Sequence, residues 1–129
     1  MEKLELSKLK FPSMREELID YLHGLSDKEY QYQAWVNHEC PRGGYDELDY
    51  AIHFLYDDTK LASDPASTVG WILVDDKEVG LMENLIVKIN IMFDKYGFGL
   101  DDKDYIEKVE WDDVVNSARI AGEYFSKKI

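Results

Sequence analysis

The chain has 129 residues, of which 45% are hydrophobic and 13% aromatic, and it carries a formal net charge of −12. This apolar content excludes an intrinsically disordered chain, and the length is that of one domain with a core of its own. The single cysteine, Cys40, excludes an internal disulfide, and the absence of a membrane-span-length apolar run or a signal-peptide core predicts a cytoplasmic protein.

The hydrophobic pattern predicts an all-α fold, a single compact domain of five or six helices. Residues 1–12 are interpreted as a mixed-charge lead-in, and the helical domain is expected to occupy 13–129. Two Ser-x-x-Glu capping boxes, at Ser13–Glu16 and Ser26–Glu29, predict the starts of the first two helices. Gly24 is expected to end the first of them.

A clear break follows the second helix, because Pro41 and the Gly43-Gly44 pair favour a turn. The next helix is predicted over 45–58. Its apolar residues recur at the i, i+3, i+4, i+7 spacing of one buried stripe, formed by Leu48, Ala51, Ile52 and Leu55.

The stretch from 52 to 74 also permits a second interpretation. Val69–Val74 is rich in β-branched and aromatic residues, and it could pair with Ile52–Tyr56 as a short β-hairpin around 52–74. We predict helix for both segments and keep the hairpin as the alternative. The long polar loop over 57–67 is of the kind that tends to be functional.

Two further helices, with a short segment between them, complete the chain. The longest is predicted from Asp75 to Tyr96, with a broad apolar face and Gly97 as its end. A short segment over 102–108 precedes a last helix from Trp111 to about Lys127, where Lys127 and Lys128 complement the helix dipole.

The helix over 45–58 also carries the candidate site. Residues 45–113 hold eighteen acidic and six basic residues and therefore account for the whole net charge. Such a field disfavours nucleic acid and anionic membranes as partners and speeds encounter with a basic protein, although an acidic surface can also serve solubility alone. The predicted partner-binding residues are Tyr45, Asp46, Asp49, Tyr50, His53, Asp57 and Asp58.

Catalysis is the weaker interpretation of the same helix. Asp49, His53 and Asp57 are spaced to place a histidine between two carboxylates, which could orient a general base. No nucleophile accompanies them, and ordinary i, i+4 pairs explain the pattern more simply. The scattered histidines and the single cysteine predict no metal site, and no phosphate-binding loop is present, so we expect no cofactor.

Four motifs together resemble a family of small acidic bacterial proteins of unassigned function. The motifs are Tyr30-Gln-x-x-Ala-Trp, Tyr45-Asp-x-x-x-x-Ala-x-His-Phe-Leu-x-Asp-Asp-Thr, Ser67-x-x-Gly-x-x-Leu and the Trp111 helix, and the similarity extends over residues 13–125. In size, charge and style the chain is also similar to the immunity proteins of bacterial toxin–immunity systems, including contact-dependent inhibition. The first resemblance implies no catalytic residues.

These observations predict a non-enzymatic acidic binding protein, most simply an immunity or inhibitor protein that neutralises a basic toxin such as a nuclease. Its carboxylates and aromatic rings would stand in for phosphates and bases. The alternatives are a structural or self-associating protein and a small hydrolase that uses Asp49, His53 and Asp57. The sequence leaves the oligomeric state open.

Overall fold

The computed structural model describes residues 6–127, which contain six α-helices and no β-strand. The predicted all-α fold with a single compact domain is therefore confirmed. Residues 1–5 of the predicted lead-in, and Lys128 and Ile129 at the other end, lie outside the described residues. The helices are α1 Pro12–Leu25, α2 Lys28–Tyr30, α3 Leu48–His53, α4 Asp76–Tyr96, α5 Asp102–Ile106 and α6 Val109–Ser126.

Helices α4 and α6 form the centre of the fold and run antiparallel. Tyr124 near the end of α6 donates to Asp75 at the start of α4, whereas Lys95 near the end of α4 pairs with Glu110 at the start of α6. The broad apolar face predicted for α4 is buried, as are the inward residues of α6, and α1 packs on α6. The fully buried Trp111 contacts the Trp35 ring edge to face, 6.1 Å between centroids.

Two helices continue as π-helices, over Gln31–Val36 after α2 and Phe54–Asp58 after α3. Hydrogen bonds in a π-helix span five residues, so side chains rotate out of the 3.6-residue pattern. Phe54 is buried beside the predicted Leu55, and Ile52, the last α-helical member of the predicted stripe, is only half-buried. The predicted stripe is confirmed at Leu48, Ala51 and Leu55.

The alternative hairpin around 52–74 is wrong, because residues 52–58 are helical and 69–74 form a turn. Within that turn a single bridge joins Val69 to Leu73, and Gly70 adopts a positive φ of 91°. The helix predicted for 69–74 is equally wrong. Its apolar residues serve a different purpose, since Ile72, Leu73 and Val74 are buried as an irregular segment between helices.

A buried ion pair holds this irregular segment in place. The Arg15 guanidinium donates to both carboxylate oxygens of Glu78, at 2.9 and 2.7 Å, and also to the carbonyl of Ile72. Glu78 in turn accepts from the backbone N–H of Val74 at 2.8 Å. The two charged side chains, 5% and 0% exposed, thus connect α1, the 69–74 segment and α4.

The helix starts differ from those predicted by the two capping boxes. Helix α1 begins at Pro12, which places Ser13 inside the helix, and it continues through Gly24 to Leu25. At α2 the cap is Asp27, whose side chain accepts from the backbone N–H of Tyr30. Proline is favoured in the first helical turn because its missing N–H would have no partner there.

Part of the sequence assigned to the lead-in packs on the domain. Leu9 is buried, and the backbone N–H groups of Lys10 and Phe11 donate to the carbonyls of Gly70 and Trp71, both at 3.0 Å. The Phe11 and Trp71 rings meet edge to face, 5.7 Å between centroids.

Candidate functional site

The candidate site is a surface at the start of α3 that we call the acidic aromatic face, formed by Tyr45, Glu47, Asp49, Tyr50, His53, Asp57 and Asp102. Five of the seven residues predicted from sequence belong to it: Tyr45, Asp49, Tyr50, His53 and Asp57. Their side chains are exposed, with Tyr45 54% and Tyr50 42% accessible. Exposed tyrosines are enriched at protein–protein interfaces relative to other surfaces.

Contacts between rings hold the aromatic part of the face together. The Tyr45 ring stacks on His38 at 5.2 Å and meets the edge of Tyr50 at 6.0 Å. Its hydroxyl donates to Glu47 at 3.0 Å. The loop that carries His38 reaches this position with a left-handed φ of 58° at that residue. Because the rings already contact one another, ordering them in a complex would cost little conformational entropy.

The carboxylates of the face come from two regions of the chain that are distant in sequence, α5 and the segment around α3. Asp102, at the first residue of α5, accepts from the backbone N–H of Leu48 at 3.0 Å and so caps the start of α3. Burial raises the pKa of Asp102 above its ordinary value, and the nearby Asp49 and Glu47 carboxylates add to that increase. The pKa of the Tyr45 hydroxyl is raised as well, mainly by its hydrogen bond to Glu47.

Glu47 and Asp102 are the members of the face that sequence reasoning missed. Asp102 lies in the Asp101-Asp102-x-Asp104 run, which a sequence pattern associates with capping of its own helix. The structure uses it for a helix fifty-four residues away. No local pattern identifies that contact, because it depends on how α5 packs.

His53 and Asp57 form the i, i+4 pair that the spacing predicts, with Nδ1 and Oδ2 2.7 Å apart. Both side chains are well exposed, 68% and 62%, so the pair lies in water. Within residues 6–127, Asp49 makes no ion pair with His53. The hydrolase hypothesis is therefore left with one acid–histidine pair on an open surface.

The two other predicted residues are placed elsewhere. Asp46 points inward, where its carboxylate accepts from the Tyr30 hydroxyl at 2.5 Å, the Trp35 indole at 3.0 Å and its neighbouring backbone N–H at 2.9 Å. Asp58 is exposed on the side towards α1. Burial is the main cause of the raised pKa of Tyr21, and the charge of Asp58 is close enough to add to that increase.

A cleft of about 460 Å³ adjoins the acidic aromatic face, and Tyr45 belongs to both. Its walls come from the end of α1, the start of α2 and the loop before α3. The charged residues that line it are Asp20, Asp27, Asp46 and Arg42. In the described part of the chain, no cluster of three or more histidine, cysteine or acidic side chains is placed to hold a metal ion.

The capping role of Asp102 predicts a pH effect on stability. Because its folded-state pKa is raised, the ionised carboxyl destabilises the fold at neutral pH, and that deficit disappears as the pH falls below the ordinary value of 3.8. Asparagine keeps the acceptor for Leu48 without the charge. We therefore expect Asp102→Asn to raise the free energy of unfolding at pH 7 and to match the wild type at about pH 3 in urea titrations.

The exposed Asp104 on the same helix provides the control, since Asp104→Asn removes a carboxylate that accepts no such hydrogen bond. An Asp102→Asn variant that is less stable than the wild type at pH 7 would contradict the assigned cause of the pKa shift.

Comparison with known proteins places the chain in a family. Residues 9–128 match the domain of unknown function DUF7945. The chain belongs to this family. No curated protein and no solved structure was found to match it. The description of the family assigns it no activity. None of the described helices is both long and apolar enough to span a membrane.

Proposed function

We propose that the protein is a non-enzymatic inhibitor, an immunity protein that neutralises a basic toxin such as a nuclease by covering its active site with the acidic aromatic face. The observation that carries the proposal is the juxtaposition of two exposed, contacting tyrosines with carboxylates from α3 and α5. Cytoplasmic location and bacterial origin belong to the same proposal.

The charge of the face fits such a partner. An enzyme that acts on nucleic acid must attract a polyanion, so its active site presents lysine and arginine. Glu47, Asp49, Asp57 and Asp102 offer four carboxylates on one surface of a chain whose net charge is −12. Complementary fields of this kind accelerate association and discriminate against acidic partners.

The aromatic rings fit the same partner. A nuclease site that holds bases must expose surfaces on which rings stack. Tyr45 and Tyr50 are large, half-exposed and held in contact, and such residues supply most of the binding energy at many interfaces. The carboxylates would then steer the encounter, and the tyrosines would slow dissociation.

Affinity capture with charge-reversed variants tests the proposal. We expect the tagged wild type to capture one stoichiometric basic protein from its host's lysate, released at least in part by high salt. Asp49→Lys with Asp57→Lys should lose most of that protein, because two carboxylates of the face become repulsive. Mass spectrometry of the bound fraction provides the measurement.

Asp113→Lys with Glu123→Lys is the matched control, because it makes the same change in net charge at two exposed positions of α6. The control should capture as the wild type does. Equal capture by all three proteins would contradict the assignment of the face, and capture of acidic proteins only would contradict the inhibitor proposal.

A further inference from the structure

A second concave surface adjoins the acidic aromatic face on its other side. This groove of about 320 Å³, which we call the Phe98 groove, lies between α3 with the π-helix that follows it and the C-terminal half of α4. Its lining residues are Ile52, Tyr56, Asp57, Asn90, Phe93, Asp94 and Phe98. Asp57 belongs to both surfaces, so one partner could cover both.

Phe98 is the most unusual member of the groove. It is 80% exposed, whereas the other four phenylalanines are buried or half-buried. Its ring stacks on Phe93 at 4.9 Å, and it follows Gly97, whose φ of 75° turns the chain sharply out of α4. An exposed aromatic ring at the edge of unfilled apolar space is the arrangement expected of a binding anchor.

The polar groups of the groove define what could enter. The Tyr56 hydroxyl donates to the side-chain carbonyl of Asn90 at 2.6 Å, so its proton already has an acceptor within the protein. Burial raises the pKa of Tyr56 to about 12, and the charge of Asp94 adds to that shift. The apolar part of the lining is supplied by Ile52, Phe93 and Phe98. The two charged residues of the lining, Asp57 and Asp94, are exposed and form its rim.

We propose that the Phe98 groove binds one large apolar side chain of the same basic partner, flanked in that partner by a lysine or arginine that pairs with Asp57 or Asp94. This inference rests on the proposed function and adds the partner's recognition chemistry, an apolar residue within a basic segment. A second copy of this chain fits poorly, because it would bring another −12 towards two rim carboxylates.

Two synthetic peptides of equal charge test the inference, hexalysine and the same six lysines with one leucine inserted after the second. Amide chemical shifts of the isotope-labelled protein would be followed during titration with each. We expect hexalysine to shift amides of the acidic aromatic face. The leucine peptide should also shift those of Ile52 and Phe93 and bind about tenfold more tightly, the effect of roughly half burying one leucine.

Phe98→Ala should abolish the increase in affinity that leucine provides. It should leave hexalysine binding unchanged, because Phe98 is too exposed to support the core. Ile120→Ala, which truncates another exposed apolar side chain on α6, should keep the gain.

The outcomes separate the two proposals. Hexalysine binding at the face without any gain from leucine would overturn the inference and leave the proposed function intact. Binding of neither peptide would overturn both. Shifts in groove amides that depend on protein concentration without peptide would assign the groove to a second copy and overturn the inference.

Discussion

Glu78→Gln is expected to lower the free energy of unfolding by about 3–5 kcal/mol, because it leaves the Arg15 guanidinium charged and unpaired in the core. Glutamine retains an acceptor for the backbone N–H of Val74, so the loss reports mainly on the charge pair. Arg15→Met should lower the free energy of unfolding by a similar amount, because it leaves the Glu78 carboxylate charged in the core without the guanidinium. Urea titration at pH 7, with the slope of the transition unchanged, provides the measurement.

A double variant tests whether the loss of stability comes from breaking the ion pair. Arg15→Met with Glu78→Gln should lower the free energy of unfolding by much less than the sum of the two single decreases, since neither buried charge remains. The exposed pair of Lys28 and Asp112 serves as the control, and Asp112→Asn should change stability by less than about 1 kcal/mol. Additive losses in the double variant would contradict the pairing.

Asp46→Ala is expected to lower the free energy of unfolding by about 2–3 kcal/mol. The Trp35 indole, whose residue is 4% exposed, would lose its acceptor, and the Tyr30 hydroxyl would lose the same carboxylate oxygen. The loop before α3 would also lose its tether, so near-ultraviolet circular dichroism should report a change around the tryptophans.

Asp49→Ala is the matched control, since it removes an exposed carboxylate three residues later and should change stability by no more than about 0.5 kcal/mol. The comparison also separates two interpretations of Asp46. A stable Asp46→Ala variant that fails to capture the basic protein would make Asp46 a direct contact rather than an internal support.

The elements that the sequence predicted well are those whose signal is local. Helices α4 and α6 have long apolar stripes with the helical period, and Gly97 ends α4 at the expected position with a positive φ. The exposed side of α3 was also predictable, because residues that do not fit a buried stripe must face solvent. Most of the candidate site follows from that one helix.

The elements that the sequence could not predict depend on distant residues. Arg15 and Glu78 are sixty-three positions apart, and nothing near either residue indicates a buried charge. Asp46 carries the same local signal as Asp49, yet it turns inward because Tyr30 and Trp35 present donors there. Residues 69–74 are irregular despite their β-branched composition, and two of their backbone groups hydrogen-bond to that distant ion pair.

Association kinetics test whether the protein binds its basic partner through the acidic aromatic face. With the captured basic protein purified, its association rate constant with the wild type and the two double variants would be measured across a range of salt concentrations. For the wild type and for Asp113→Lys with Glu123→Lys, the rate should be fast and fall steeply as salt rises, by about tenfold or more. Asp49→Lys with Asp57→Lys should associate slowly with a shallow salt dependence. The same rate and the same salt dependence for all three proteins would contradict binding through the acidic aromatic face.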